Sequence, residues 1–230
     1  PKPAVPQTWA EAVKQWDLDR DRPERQLHWF AQLREGNRRR FAPLWRRLGL
    51  ESGSREQFIA NLASRDERHD DLNAAARAQG IDLNDPGIVA LRGELYRSYE
   101  EAQRALLGDL GYVQLQEFER TAGLRSTVGG LAGLAAIEGV PLTVAQTEQL
   151  VLALAACSLA YGRGGAASTL DLDWDAVPAA LATVLTAEQR ARLESQEAPG
   201  GGLFRAKWNA ALTRATKAER ERAAATKAGR

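Results

Sequence analysis

The sequence predicts an all-α protein, a multi-helix bundle around a buried central helix near residues 143–160, with little or no strand. Three observations predict it. Capping residues and glycine stops punctuate the chain at helical lengths. Apolar residues recur every third or fourth position, while period-two alternation and β-branched clusters are missing. The run Leu150-Val151-Leu152-Ala153-Leu154-Ala155-Ala156-Cys157-Ser158-Leu159-Ala160 is apolar on almost every side, the pattern of a helix buried all round.

The elements follow in order. Residues 1–7 are Pro-rich and read as a linker. Thr8-Trp9-Ala10-Glu11 fits a capping box for a short helix to about Leu18. Pro23 suits a first helical turn, and the helix it opens should end near Glu35, where Gly36-Asn37 punctuates. Phe41, Leu44, Trp45 and Leu48 then fall at i, i+3, i+4 and i+7. They give a separate helix with an apolar face and an arginine face, stopped at Gly49. Ser54-Arg55-Glu56-Gln57 reads as another capping box, for a helix ending at Gly80. Asp85-Pro86 supplies a cap and a first-turn proline. The helix behind it carries Ile88, Leu91, Leu95, Tyr99, Ala102 and Leu106, and Gly108 stops it.

A helical hairpin should follow. Its first arm runs from Tyr112 to about Ile137, where Gly129, Gly130 and Gly133 either break the helix near Gly129 or, the preferred reading, admit a closely packed neighbour. Gly139-Val140-Pro141-Leu142 turns the chain, and Thr143 begins the apolar second arm. Tyr161 to Thr169 reads as a loop, Asp173 or Asp175 as the cap of a helix to Val184, and Thr186 as the cap of one to about Ser195. Pro199-Gly200-Gly201-Gly202 is a hinge. These boundaries give one helical domain over 8–198 and a basic C-terminal helix over 203–230. That helix should project in part, because beyond Leu212 it offers little to pack.

Composition narrows the function. Lysines and arginines number 31 against 30 acids, so no global field draws the protein to nucleic acid or membrane. The single cysteine, Cys157, rules out a disulfide framework and reads as a small buried hydrophobe. There is no methionine, so the chain is expected to be processed, by loss of a signal peptide or anchor ahead of Pro1 or by trimming. The longest apolar run, about eleven residues, is well short of the roughly 20 that span a bilayer. No nucleophile elbow, phosphate loop or zincin pair occurs, so no enzyme activity and no cofactor are expected. Glu67, His69, Asp70 and Asp71 form an acidic group with a histidine, but the spacing turns His69 away from the Glu67–Asp71 face. Asp171-Leu172-Asp173-Trp174-Asp175 lacks the glycine and distal glutamate of a calcium loop. Gly162-Arg163-Gly164-Gly165 could cradle an anion, but no strand precedes it and no lysine follows.

Two helix starts share one pentapeptide pattern: Leu142-Thr143-Val144-Ala145-Gln146 and Leu185-Thr186-Ala187-Glu188-Gln189. The pattern has a local cause, since threonine caps the third amide, glutamine returns to the cap amide, and leucine staples the entry. With these two motifs the sequence resembles the LTxxQ family of periplasmic stress chaperones typified by Spy and CpxP. The resemblance implies a cradle-shaped helical dimer, hence a homodimer, that holds unfolded or stress-related partners on a basic, partly apolar face. The apolar helix near residue 150 implies a thicker body than such a cradle. The stretch Leu107-Gly108-Asp109-Leu110-Gly111-Tyr112, with Gln114 to Thr121, is also similar to helical proteobacterial proteins that carry an N-terminal membrane anchor.

The candidate partner-binding residues are Arg38, Arg39, Arg40, Trp45, Arg46 and Arg47, with Trp29, Phe30 and Phe41 nearby. Arginines interleaved with aromatics can hold an acidic protein, anionic headgroups or nucleic acid. The same pattern also describes a plain amphipathic helix with its aromatics inside and its arginines in water. The C-terminal helix, with Arg205, Lys207, Arg214, Lys217, Arg220, Arg222, Lys227 and Arg230 against Glu219 and Glu221, is a second candidate tether. The sequence therefore points to a non-catalytic binding protein of the bacterial cell envelope, chaperone-like, scaffold or stress adaptor, whose partner is another protein. The alternatives are a cytoplasmic nucleic-acid-binding helical protein and a structural subunit of a larger complex.

Overall fold

The computed structural model describes residue 8, residues 23–194 and residues 202–228, and gives only the backbone at 23–25, 202–204 and 227–228. The linker 1–7, the Thr8 capping box beyond Thr8 itself with its short helix, and the 199–201 part of the hinge lie outside the described residues. Among the described residues there are nine helices and no strand: α1 (Pro23–Leu48), α2 (Ser52–Ala78), α3 (Pro86–Arg120), α4 (Ala122–Ile137), α5 (Val144–Ala156), α6 (Leu159–Gly162), α7 (Val177–Val184), α8 (Ala187–Glu194) and α9 (Gly202–Ala228). A single antiparallel bridge joins Ser158 and Leu172. None of these helices is long and apolar enough to cross a membrane. The chain packs as two compact units, Pro1–Leu115 and Gln116–Arg230, where the sequence suggested one domain over 8–198.

In the first unit the two helices expected on either side of Gly36-Asn37 are one, α1. An exposed glycine in a helix costs only about 1 kcal/mol, and Asn37 is buried rather than turned out. Continuity lets Phe41, Leu44 and Trp45 reach the core, where Phe41 and Trp45 both meet Phe58 of α2 edge-on, at 4.9 and 5.8 Å between ring centroids. Burial on that scale outweighs the glycine and the backbone bond that Pro43 cannot make. Gly49 ends α1 as expected, in the left-handed region, with its amide on the Arg46 carbonyl and that of Leu50 on Trp45. Ser54 does not cap α2, which starts at Ser52. Asp85 does cap α3, accepting from Gly87 N at 2.8 Å. Gly108, at φ 69°, breaks the helical backbone inside α3, where the sequence placed a stop.

In the second unit the expected long arm from Tyr112 to Ile137 is interrupted at Thr121, which separates α3 from α4. The buried Thr121 hydroxyl donates back to the carbonyls of Glu117 and Phe118. The loop amide of Ala167 takes the Arg120 carbonyl at 2.7 Å, removing it from the helical ladder. Gly123 makes the approach feasible, because a Cβ there would lie 2.6 Å from the Ala167 oxygen. Close packing is thus found at Gly123, whereas Gly129 and Gly133 face open space, contrary to the sequence reading.

Helix α5 supplies Leu150, Val151, Leu154 and Ala155 to one core cluster that also holds Leu124, Val128 and Leu131 of α4, Leu181 of α7, and Trp208 and Leu212 of α9. It is central but not buried on every side. It ends at Ala156, and Leu152 and Leu159 are 43% and 62% exposed. Apolar content alone does not place a helix inside, since a folded surface always retains apolar side chains. Arg125 ties α4 to α5 through Glu148 at 2.7 Å and lies 3.8 Å over the Phe118 ring. In α9, Ala215 and Thr216 are buried beyond Leu212, so packing continues further than the sequence suggested; residues 220–226 are exposed.

Candidate partner-binding face

The arginine segment lies on α1, and core packing fixes its orientation. Phe41 and Trp45 anchor the inner face, with Trp45 only 6% exposed. Trp45 is therefore a core residue and leaves the candidate face, because its ring is covered by Phe58. Arg38 points toward α2, where it binds Glu56 at 2.8 Å. That hydrogen bond holds the Glu56 carboxyl below its ordinary value and raises Arg38. Arg39 reaches Glu35 at 3.2 Å, one helical turn away. The Arg40 guanidinium stacks 4.9 Å over the Phe41 ring, and Arg47 donates to the Gln114 carbonyl at 3.3 Å. Arg39, Arg40, Arg46 and Arg47 remain exposed.

Helical spacing sorts these four. Arg40 and Arg47 are seven residues apart, two turns, and Trp29 lies three turns before Arg40 on the same stripe. Arg39 and Arg46 form the adjacent stripe. Trp29 is 43% exposed. The outer surface of α1 thus carries four exposed cations, able to grip carboxylates, and three turns before Arg40 a partly open indole able to stack on a flat group.

Several polar groups of the other sites considered from the sequence are engaged. Glu67 binds Arg34 at 2.6 Å, and His69 is 3.3 Å from Asn73. No group of three metal-ligating side chains forms among the described residues. In the 162–165 loop the amides of Gly164 and Gly165 bond Tyr161 and Ala160 carbonyls, and the Gly165 carbonyl accepts from Arg120. The three aspartates of 171–175 are separately employed. Asp171 accepts from the Ser158 hydroxyl at 2.8 Å and from the amides of Ala160 and Ser168. Burial pushes its carboxyl upward, but those donors outweigh burial and hold it below its ordinary value. Asp173 accepts from Asp175 N, forming a turn rather than the expected cap of α7, whose entry carries Pro178. Asp175 lies 3.9 Å from Arg214. Burial raises the Cys157 thiol, as does the nearby charge of Asp173.

The two LTxxQ segments close reciprocal caps and also meet each other. Thr143 accepts from Gln146 N and its own amide is bound by the Gln146 side chain, both at 3.0 Å. Thr186 and Gln189 repeat the pair at 3.1 and 3.0 Å. Gln146 Nε2 then donates to Gln189 Oε1 at 3.0 Å and to the Val184 carbonyl, while Gln189 Nε2 donates to the Pro141 carbonyl. Val184 and Pro141 hold equivalent places, two residues before each threonine, so the exchange is symmetric about the pair. The local reading of the motif found each cap; their mutual contact is a tertiary event.

Sequence reasoning overlooked Arg190 of α8, which is 3% exposed. It is held by the Leu185 carbonyl and by Glu219 of α9. Leu185, Gln189 and Leu193 recur every fourth residue and mark the buried face beside which Arg190 lies, which was the available signal. No family model, curated protein or solved structure matches this chain.

Proposed function

We propose that this protein acts by binding another protein through the outer face of α1, as a non-catalytic scaffold or chaperone-like adaptor. The observation that carries the reading is the exposed set Arg39, Arg40, Arg46 and Arg47 on the outer side of α1, with the half-open Trp29 about 16 Å along the same helix. The helix needs none of these four cations for its core, yet the core holds them in register. The partner it suits is acidic, unfolded or loosely folded, with carboxylates for the arginines and a flat or apolar group for the indole. The resemblance to LTxxQ stress chaperones supports the same reading and favours the periplasm or an envelope anchor, with a homodimer as the working form. The near balance of total charge disfavours nucleic acid.

The test is charge reversal, R39E/R40E/R46E, in the full chain. The wild type is expected to suppress light scattering by a reduced, unfolded acidic protein. The triple variant loses most of that suppression while its helical circular dichroism is unchanged. Equal suppression by both would remove this face from consideration. Retention of RNA or DNA with a steeply negative salt dependence would favour the nucleic-acid alternative. Sedimentation equilibrium reads the dimer independently.

A further inference from the structure

A cleft of about 640 Å³ opens between α7, α8 and α9 in the second unit. Its walls are short side chains at helical spacing, chiefly Ala179 and Ala182 on α7 and Ala215 and Ala218 on α9. Arg190 lines it from α8, with Glu219 and Arg222 from α9 and Asp175 from the segment before α7. Such a volume falls in the range of small-molecule pockets.

Arg190 sets the chemistry. Its guanidinium is almost wholly buried, with one terminal nitrogen on the Leu185 carbonyl and the other on Glu219. Its Nε has no acceptor. A buried charged donor left unpaired is costly, and an incoming acceptor would relieve that cost. Glu219 demonstrates that the guanidinium accepts a carboxylate, and the planar fork suits a second one sharing its edge. Two arginines, Arg190 and Arg222, and two carboxylates, Asp175 and Glu219, line the cleft, and Asp175 also lies 3.9 Å from Arg214 outside it. The lining charges balance, so the cleft offers no field for a dianion such as phosphate, and the orphan donor, Arg190 Nε, suits a single carboxylate oxygen. The alanine walls suit a compact apolar body behind that head.

We infer that the α7–α8–α9 cleft binds a monocarboxylate with a short apolar body, its head group held by Arg190. The carboxylate belongs either to a small organic acid or to the C-terminus of a peptide. Glu219 acts as a built-in competitor for the guanidinium. The site is independent of the α1 face, so either can stand without the other.

The probe is hexanoate, titrated into the full ¹⁵N-labelled chain while the Arg190 Nε–H resonance is followed. Saturable movement of that resonance is expected, with hexanol, hexylamine and inorganic phosphate leaving it in place. A182W, a substitution at an exposed wall position, should weaken binding about tenfold or more by filling the cleft, and R190K similarly by removing the fork. E219Q should tighten binding severalfold. Acetyl-trialanine with a free C-terminus, compared with its amide, distinguishes the sources. Tighter binding of the free peptide than of hexanoate assigns a chain end, and the reverse assigns a small acid. The inference is overturned if hexanoate leaves the Nε–H resonance unmoved at millimolar concentration. It is equally overturned if hexanol or phosphate binds as well as hexanoate, or if folded A182W binds unchanged.

Discussion

Gln146 Nε2 donates to Gln189 Oε1 across 3.0 Å, joining the first turns of α5 and α8. Each glutamine also closes its own capping box and reaches a carbonyl two residues ahead of the other's threonine. One pair of side chains thereby satisfies donors at two helix starts and staples two distant segments. Gln146→Ala and Gln189→Ala should each destabilise the protein by about 1–3 kcal/mol. The double variant should lose less than the sum, with a coupling of about 0.5 kcal/mol or more, measured by urea denaturation. Strict additivity would mean that the two caps act independently.

The docking of the 161–171 loop depends on a missing side chain. Gly123→Ala puts a Cβ 2.6 Å from a backbone oxygen that cannot step aside, and should cost about 1–3 kcal/mol. Gly129→Ala and Gly133→Ala face open space on the same helix and should each stabilise by about 0.4–1 kcal/mol. Thermal melts of the three variants read the opposite signs directly.

Asp171 makes the stability of the second unit depend on pH. Its folded carboxyl is held below its ordinary value by Ser158, Ala160 and Ser168 in spite of burial. Its contribution is therefore complete above the unfolded carboxyl pKa of about 4 and is lost as pH falls from there through the lowered folded value. Asp171→Asn should cost about 1–2 kcal/mol at pH 7 and progressively less on acidification. Denaturation midpoints of both proteins at pH 7 and pH 3 should converge at the lower pH; a constant gap would assign the effect to packing.

The two tryptophans of α1 should separate stability from binding. Trp45→Ala removes a ring packed on Phe58 and should cost about 3–5 kcal/mol. Trp29→Ala, half open to water, should change stability by less than about 0.5 kcal/mol and yet weaken client suppression. A loss of suppression in neither, with the predicted stabilities, would leave the arginines as the whole of the face.

Local signals determined much of this molecule. Asp85, Thr143 and Thr186 cap where their side chains find amides within the same turn, and Gly49, Gly80 and Gly139 end helices where only glycine takes a positive φ at little cost. Those choices involve neighbours in sequence, so sequence alone fixes them. The helical class and the arginine–aromatic alternation of α1 followed from spacing in the same way. What long-range packing decided was different. It kept α1 whole through Gly36, interrupted the arm at Thr121 by inserting Ala167, left Leu152 and Leu159 in water, and buried Trp45, Gln189 and Arg190. The continuity of α1 and the break at Thr121 each set a local preference of about 1 kcal/mol against the burial of several side chains from remote segments. Burial is the stronger of the two, and it acts only once the chain has brought those segments together.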